Sequence, residues 1–145
     1  MKTFFTTFIA ILLAVIVTGC ATNKPLPKGL HTEAKSAGGI KVLSVGLLHD
    51  DAGLLVHGRV ERMLGYADSP FRHLDVKVLG PAGQVLACRA INYFPNPIPF
   101  SRFGSGRSSY SVRVAEIPTA GSTILVAVDG GALAKCPLTQ PATTY

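Results

Sequence analysis

From residue 40 onward the sequence is a series of short apolar and β-branched runs that alternate with polar residues and stop at turn chemistry every eight to twelve positions. That period of two is the signature of strands with one face buried and one wet. Ile40 to Leu48 is the first run, and Asp50-Asp51-Ala52-Gly53 closes it as a turn, since Asp bonds its own backbone and Gly accepts positive φ. Leu54 to Met63 places Leu54, Val56, Gly58 and Val60 on one face and His57, Arg59 and Glu61 on the other. His73 to Leu79 is expected to turn Leu74, Val76 and Val78 inward and Asp75 and Lys77 to water. Gly80-Pro81-Ala82-Gly83 has the type I turn preference, and Gln84 to Tyr93 returns. Ser108 to Ala115 sets Tyr110, Val112 and Val114 on one face, and Thr123 to Asp129 does the same with Ile124, Val126 and Val128.

From residue 20 on, no stretch repeats apolar residues at i, i+3, i+4 and i+7 over three turns, so helix is minor. Six or seven antiparallel strands of this kind read as an all-β sandwich over 40–136. Tight turns join the first strand to the second and the third to the fourth. The longer connections 64–72 and 94–107 are what a chain needs to cross between two sheets.

The first nineteen residues have another composition. Met1-Lys2 gives a positive start, and Phe4 to Val17 is apolar apart from Thr6 and Thr7. As a helix that run is about 21 Å long, short of the roughly 30 Å of a bilayer core, so an export signal fits better than a lasting span. Val17-Thr18-Gly19-Cys20 follows directly. It resembles the lipobox of bacterial lipoproteins, which implies cleavage before Cys20 and lipid on its thiol. Ala21, rather than Asp, after that cysteine resembles outer-membrane sorting in diderm bacteria. The implied address is the cell envelope, on the outer membrane facing the periplasm. Removing residues 1–19 takes one lysine and no acid from 14 basic and 8 acidic residues, leaving about +5. That favours anionic surfaces without specifying one. Residues 20–39 lack an apolar period and read as a flexible tether, and 137–145 as a flexible tail.

With Cys20 lipidated, Cys88 and Cys136 remain, and outside the cytoplasm an even pair reads as a disulfide; the alternative is two separate buried thiols. Two isolated cysteines lack the paired spacing of zinc sites.

Val56-His57-Gly58-Arg59-Val60, Val76-Lys77-Val78-Leu79 and Gly83-Gln84-Val85-Leu86 together resemble the immunoglobulin-like, FxLYD-type sandwich domains of small bacterial envelope lipoproteins. The resemblance covers about 45 residues and departs where the family has Tyr-Asp before the hairpin turn, here Leu79-Gly80-Pro81. It implies architecture and leaves activity open.

No catalytic set stands out. Gly104-Ser105-Gly106-Arg107-Ser108-Ser109 lacks the strand–elbow–helix context of a nucleophile and reads as a loop tip. His31, His49, His57 and His73 are not spaced as metal ligands, and no metal or cofactor is implied. The stretch 92–107 is the candidate partner-binding loop, with Tyr93, Phe94, Phe100, Arg102, Phe103 and Arg107 around Pro95, Pro97 and Pro99. Alternate prolines favour a stiff polyproline II segment that binds at little ordering cost. The competing reading has Phe94, Ile98 and Phe100 plugging the open end of the sandwich.

All seven arginines lie between Arg59 and Arg113, interleaved with aromatics. An exported chain does not meet nucleic acid, so the expected partners are the membrane, through the lipid, and an anionic envelope component or another envelope protein. The expected function is a non-enzymatic binding or accessory module. The alternative is a small metal-binding or enzymatic periplasmic domain, which His57 and His73 converging on one pocket would favour.

Overall fold

The computed structural model describes residues 23–66, 72–100, 106–128 and 136. They form an all-β sandwich of seven strands: β1 (His31–Lys35), β2 (Ile40–Asp50), β3 (Gly53–Arg62), β4 (Leu74–Leu79), β5 (Val85–Ile91), β6 (Arg107–Val114) and β7 (Thr123–Val128). A four-stranded sheet has the order β1-β7-β4-β5 and a three-stranded sheet the order β2-β3-β6. Six of the strands coincide, within a residue or two, with the alternating runs.

The turns explain the pairing. Asp50 Oδ1 accepts a hydrogen bond from Ala52 N at 2.9 Å, and Gly53 follows with φ +112°, closing the β2–β3 hairpin at the Asp50–Gly53 pair. Gly83 N donates to Gly80 O at 2.8 Å in the β4–β5 turn. The connections β3–β4 and β5–β6 cross between the sheets as expected, and 115–122 crosses back. Between the sheets lie Leu54, Val56 and Val60 of β3, Tyr110 and Val114 of β6, and the alternate residues Leu74, Val76, Val78 and Ile124, Val126, Val128 of β4 and β7.

The Val-x-Gly-x-Val run has a geometric reason. A Cβ on Gly58 would sit 2.0 Å from Ser44 O and 2.5 Å from Tyr110 Oη. The bare backbone lets the Tyr110 hydroxyl cross β3 and donate to Ser44 O at 2.8 Å, where β2 is irregular between Val42 and Ser44. Burial pushes the Tyr110 phenol above its ordinary range.

Three expectations change. The stretch 20–39 is not a free tether throughout: β1 lies inside it and pairs with β7 in parallel, so the strands are not all antiparallel. His31-Thr32-Glu33-Ala34-Lys35 is exposed at every position, so this strand is held by backbone pairing at a sheet edge and has no apolar period to reveal it. The chain docks earlier still, where Lys24 N donates to His49 O at 2.8 Å and Lys24 Nζ pairs with Asp51 at 2.8 Å.

Asp75 and Lys77 are not at the surface. Lys77 is only 2% exposed and Asp75 fully buried, because β4 is central and its outer face is covered. Across that face Lys77 stands between Leu125 and Cys88, and Asp75 between Ala127 and Ala90. Cys136 is bonded to Cys88, with Cα atoms 5.3 Å apart, and so brings the chain beyond β7 back to this sheet.

The third change concerns the proline run, which bends at 95–97 instead of continuing as a polyproline II rod; the Phe94–Pro95 and Asn96–Pro97 peptides are cis.

Candidate functional site

The two ends of the sandwich differ. The turns 50–53 and 80–83 and the crossing 115–122 share the end where the chain enters through Lys24. At the opposite end residues 92–100 divide their side chains between plug and surface. Tyr93, 1% exposed, and Ile98 are built into the core. Phe94 and Phe100 are 82% and 75% exposed, so the residues expected to close the sandwich are split between the two roles. Arg62 donates to Tyr66 O from Nε at 3.2 Å and Nη2 at 3.0 Å, and its guanidinium lies 5.9 Å from the Phe100 ring centroid, within cation–π range. Arg107 pairs with Glu61 at 3.5 Å. Arg102 and Phe103 lie outside the described residues, as does Cys20.

The loop is tied to the sheet at several points. Phe94 N donates to Ser109 O at 2.7 Å and Ser109 N to Phe94 O at 2.8 Å, so Phe94 occupies the free edge of β6. The Ser108 hydroxyl donates to Pro95 O at 2.6 Å, and the Asn96 side chain donates to Arg72 O at 3.2 Å. A Cβ on Gly106 would fall 1.7 Å from Pro99 O, so only glycine lets the loop return so closely.

Beside Phe94 the outer face of the three-stranded sheet forms an open groove of about 630 Å³. Ser44, His57, Arg59, Ser109 and Ser111 line it from the three strands, with Asn92 and Phe94 from the loop. Register sets the floor: Ser44, Arg59 and Ser109 form one row and Gly46, His57 and Ser111 the next. A Cβ on Gly46 would stand 2.6 Å from the His57 ring, so the imidazole lies over that glycine. Arg59 and His57 had been read as the outer face of a strand, which they are. Their assembly with Ser109 and Asn92 into a groove was not foreseen, because no motif joins residues so far apart in sequence.

At the ends of the same face two arginines are held by carboxylates, Arg107 by Glu61 and Arg113 by Asp50. The Arg113 hydrogen bond, with a smaller contribution from the Ala52 backbone, keeps the Asp50 carboxyl below its ordinary range. Arg59, between them, has no carboxylate partner among the described residues.

The histidines are dispersed. His31 is on the edge strand, His49 Nδ1 lies 3.3 Å from Pro25 O, His57 is in the groove, and His73 Nε2 lies 3.4 Å from Asp75. His57 and His73 therefore do not meet in one pocket, and among the described residues no three of His, Cys, Asp or Glu converge. Comparison with protein-family models, curated proteins and solved structures finds no match.

Proposed function

We propose that the chain is a membrane-anchored envelope lipoprotein whose sandwich is a non-enzymatic binding or accessory module. The observation that carries this reading is Val17-Thr18-Gly19-Cys20 placed directly after a short apolar run with a positive start. Lipid on Cys20 would be the contact with the membrane, and Ala21 favours the outer membrane of a diderm cell.

Docking at Lys24 gives the anchor a geometric consequence. Four residue steps separate Cys20 from Lys24, at most about 14 Å fully extended. The lipidated domain would therefore ride close to the headgroups, with the Asp50–Gly53 turn toward the membrane. The ten residues of β3 rise roughly 30 Å, so Phe94 and Phe100 would face away from the bilayer, toward an envelope partner. Labelling cells with a fatty-acid analogue tests the anchor. The wild-type chain incorporates label and Cys20→Ser does not; equal incorporation by both would overturn the lipoprotein reading.

A further inference from the structure

We infer that the groove beside Phe94 binds an acidic saccharide: a sugar unit with free hydroxyls and one carboxylate or phosphate group. This rests on the reading of the sandwich as a binding module and adds the chemical class of its ligand.

Three features of the lining point there. The first is charge. Among the described residues neither Asp nor Glu lines the groove, while Arg59 stands on its middle strand between Ser44 and Ser109. The flanking arginines are engaged by Glu61 and Asp50, whereas Arg59 has no carboxylate partner among the described residues. A planar guanidinium suits carboxylate or phosphate oxygens by paired hydrogen bonds.

The second is the floor. Ser109 and Ser111 present hydroxyls that take no partner among the described residues, and Asn92 adds an amide. Hydroxyls and amides both donate and accept, which is what sugar hydroxyls require. The third is Phe94. Its backbone is fixed by two hydrogen bonds to Ser109 while its ring is exposed. An aromatic ring on an anchored backbone beside a polar floor can offer its electron-rich face to the C–H face of a pyranose.

An extended peptide fits less well. Strand addition runs along a sheet edge, and beside the groove Phe94 interrupts the β6 edge at Ser109. The volume of about 630 Å³ is in the range of small-ligand sites.

Titration calorimetry on the mature lipidated protein in detergent tests the assignment with four probes: digalacturonate, glucose 6-phosphate, maltose and inorganic phosphate. At least one acidic sugar should bind ten-fold or more tightly than both maltose and phosphate, and the two acidic arms separate a carboxylate ligand from a phosphate one. Arg59→Gln should abolish that preference. Phe94→Ala should weaken the acidic sugar about ten-fold without changing its preference over maltose. Lys41→Ala, outside the groove, should bind as wild type, and all variants should melt as wild type. Equal affinity for maltose, phosphate alone binding as well as the sugars, no effect of Arg59→Gln, or no binding of any probe would each overturn the assignment. None of these results bears on Cys20, whose labelling is read separately.

Discussion

Truncation of Val76 tests whether the inter-sheet space is the core of this fold. Val76 is 1% exposed, between Arg89 of β5 and Val126 of β7 in register, and its side chain enters the apolar layer between the sheets. Val76→Ala deletes two methyl groups, worth about 0.8 kcal/mol each in transfer. An uncollapsed cavity of roughly 50 Å³ adds about 1.2 kcal/mol at about 24 cal/mol per Å³. The expected loss is therefore about 1.6–2.8 kcal/mol, the lower figure if the sheets close over the gap. Val85→Ala, at a position 52% exposed on edge strand β5, should cost about 0.5 kcal/mol or less. Neighbouring Lys77 sharpens the comparison. In β6 the buried Ser108, Tyr110 and Val114 alternate with solvated residues, Arg113 among them, so Arg113→Ala stays within about 1 kcal/mol, mostly through its pair with Asp50. In β4 both faces are covered, so Lys77→Ala should cost at least about 1 kcal/mol through lost packing of its stem. Urea melts decide the matter, with a shifted midpoint and an unchanged slope. A Val76→Ala cost under about 0.5 kcal/mol, or no larger than that of Val85→Ala, would refute the packing argument.

Other consequences follow from single contacts. Tyr110→Phe removes the bond to Ser44 O and should cost about 1 kcal/mol in a denaturant melt. The carboxyl of Asp50 is held below its ordinary range in the fold, so its contribution is present above about pH 4 and lost as pH falls through the folded-state value. Asp50→Asn should therefore flatten the acid limb of melting temperature against pH. Thiol titration of the denatured, unreduced chain should find Cys88 and Cys136 unreactive, and two reactive thiols from these positions would reject the bridge.

How much the sequence tells depends on how local the cause is. β2 to β7 were legible because each is a short apolar or β-branched run bounded by turn chemistry, as at Asp50-Asp51-Ala52-Gly53. β1 was not, because His31-Thr32-Glu33-Ala34-Lys35 buries nothing and is held by pairing with β7. The polar residues of β4 misled for a different reason. Asp75 and Lys77 alternate with apolar residues as if solvated, yet β4 is flanked by β5 and β7, and Cys136 bonds to Cys88, the register neighbour of Lys77 on β5. A hint lay in Ile124-Leu125-Val126-Ala127-Val128, whose continuous apolar run is that of a strand buried on both faces. In the candidate site Phe94 was legible as an unusual aromatic, while Arg59 and Ser109 read as an ordinary wet face. Only register and the return of the proline loop bring them together.

Intact-mass measurement of the mature protein purified from membranes reads both the processing site and the lipid on Cys20. The expected product is a chain that begins at Cys20 and carries the added mass of a diacylglyceryl group on that residue. An unmodified chain, or one whose amino terminus lies anywhere but Cys20, would contradict the lipoprotein reading.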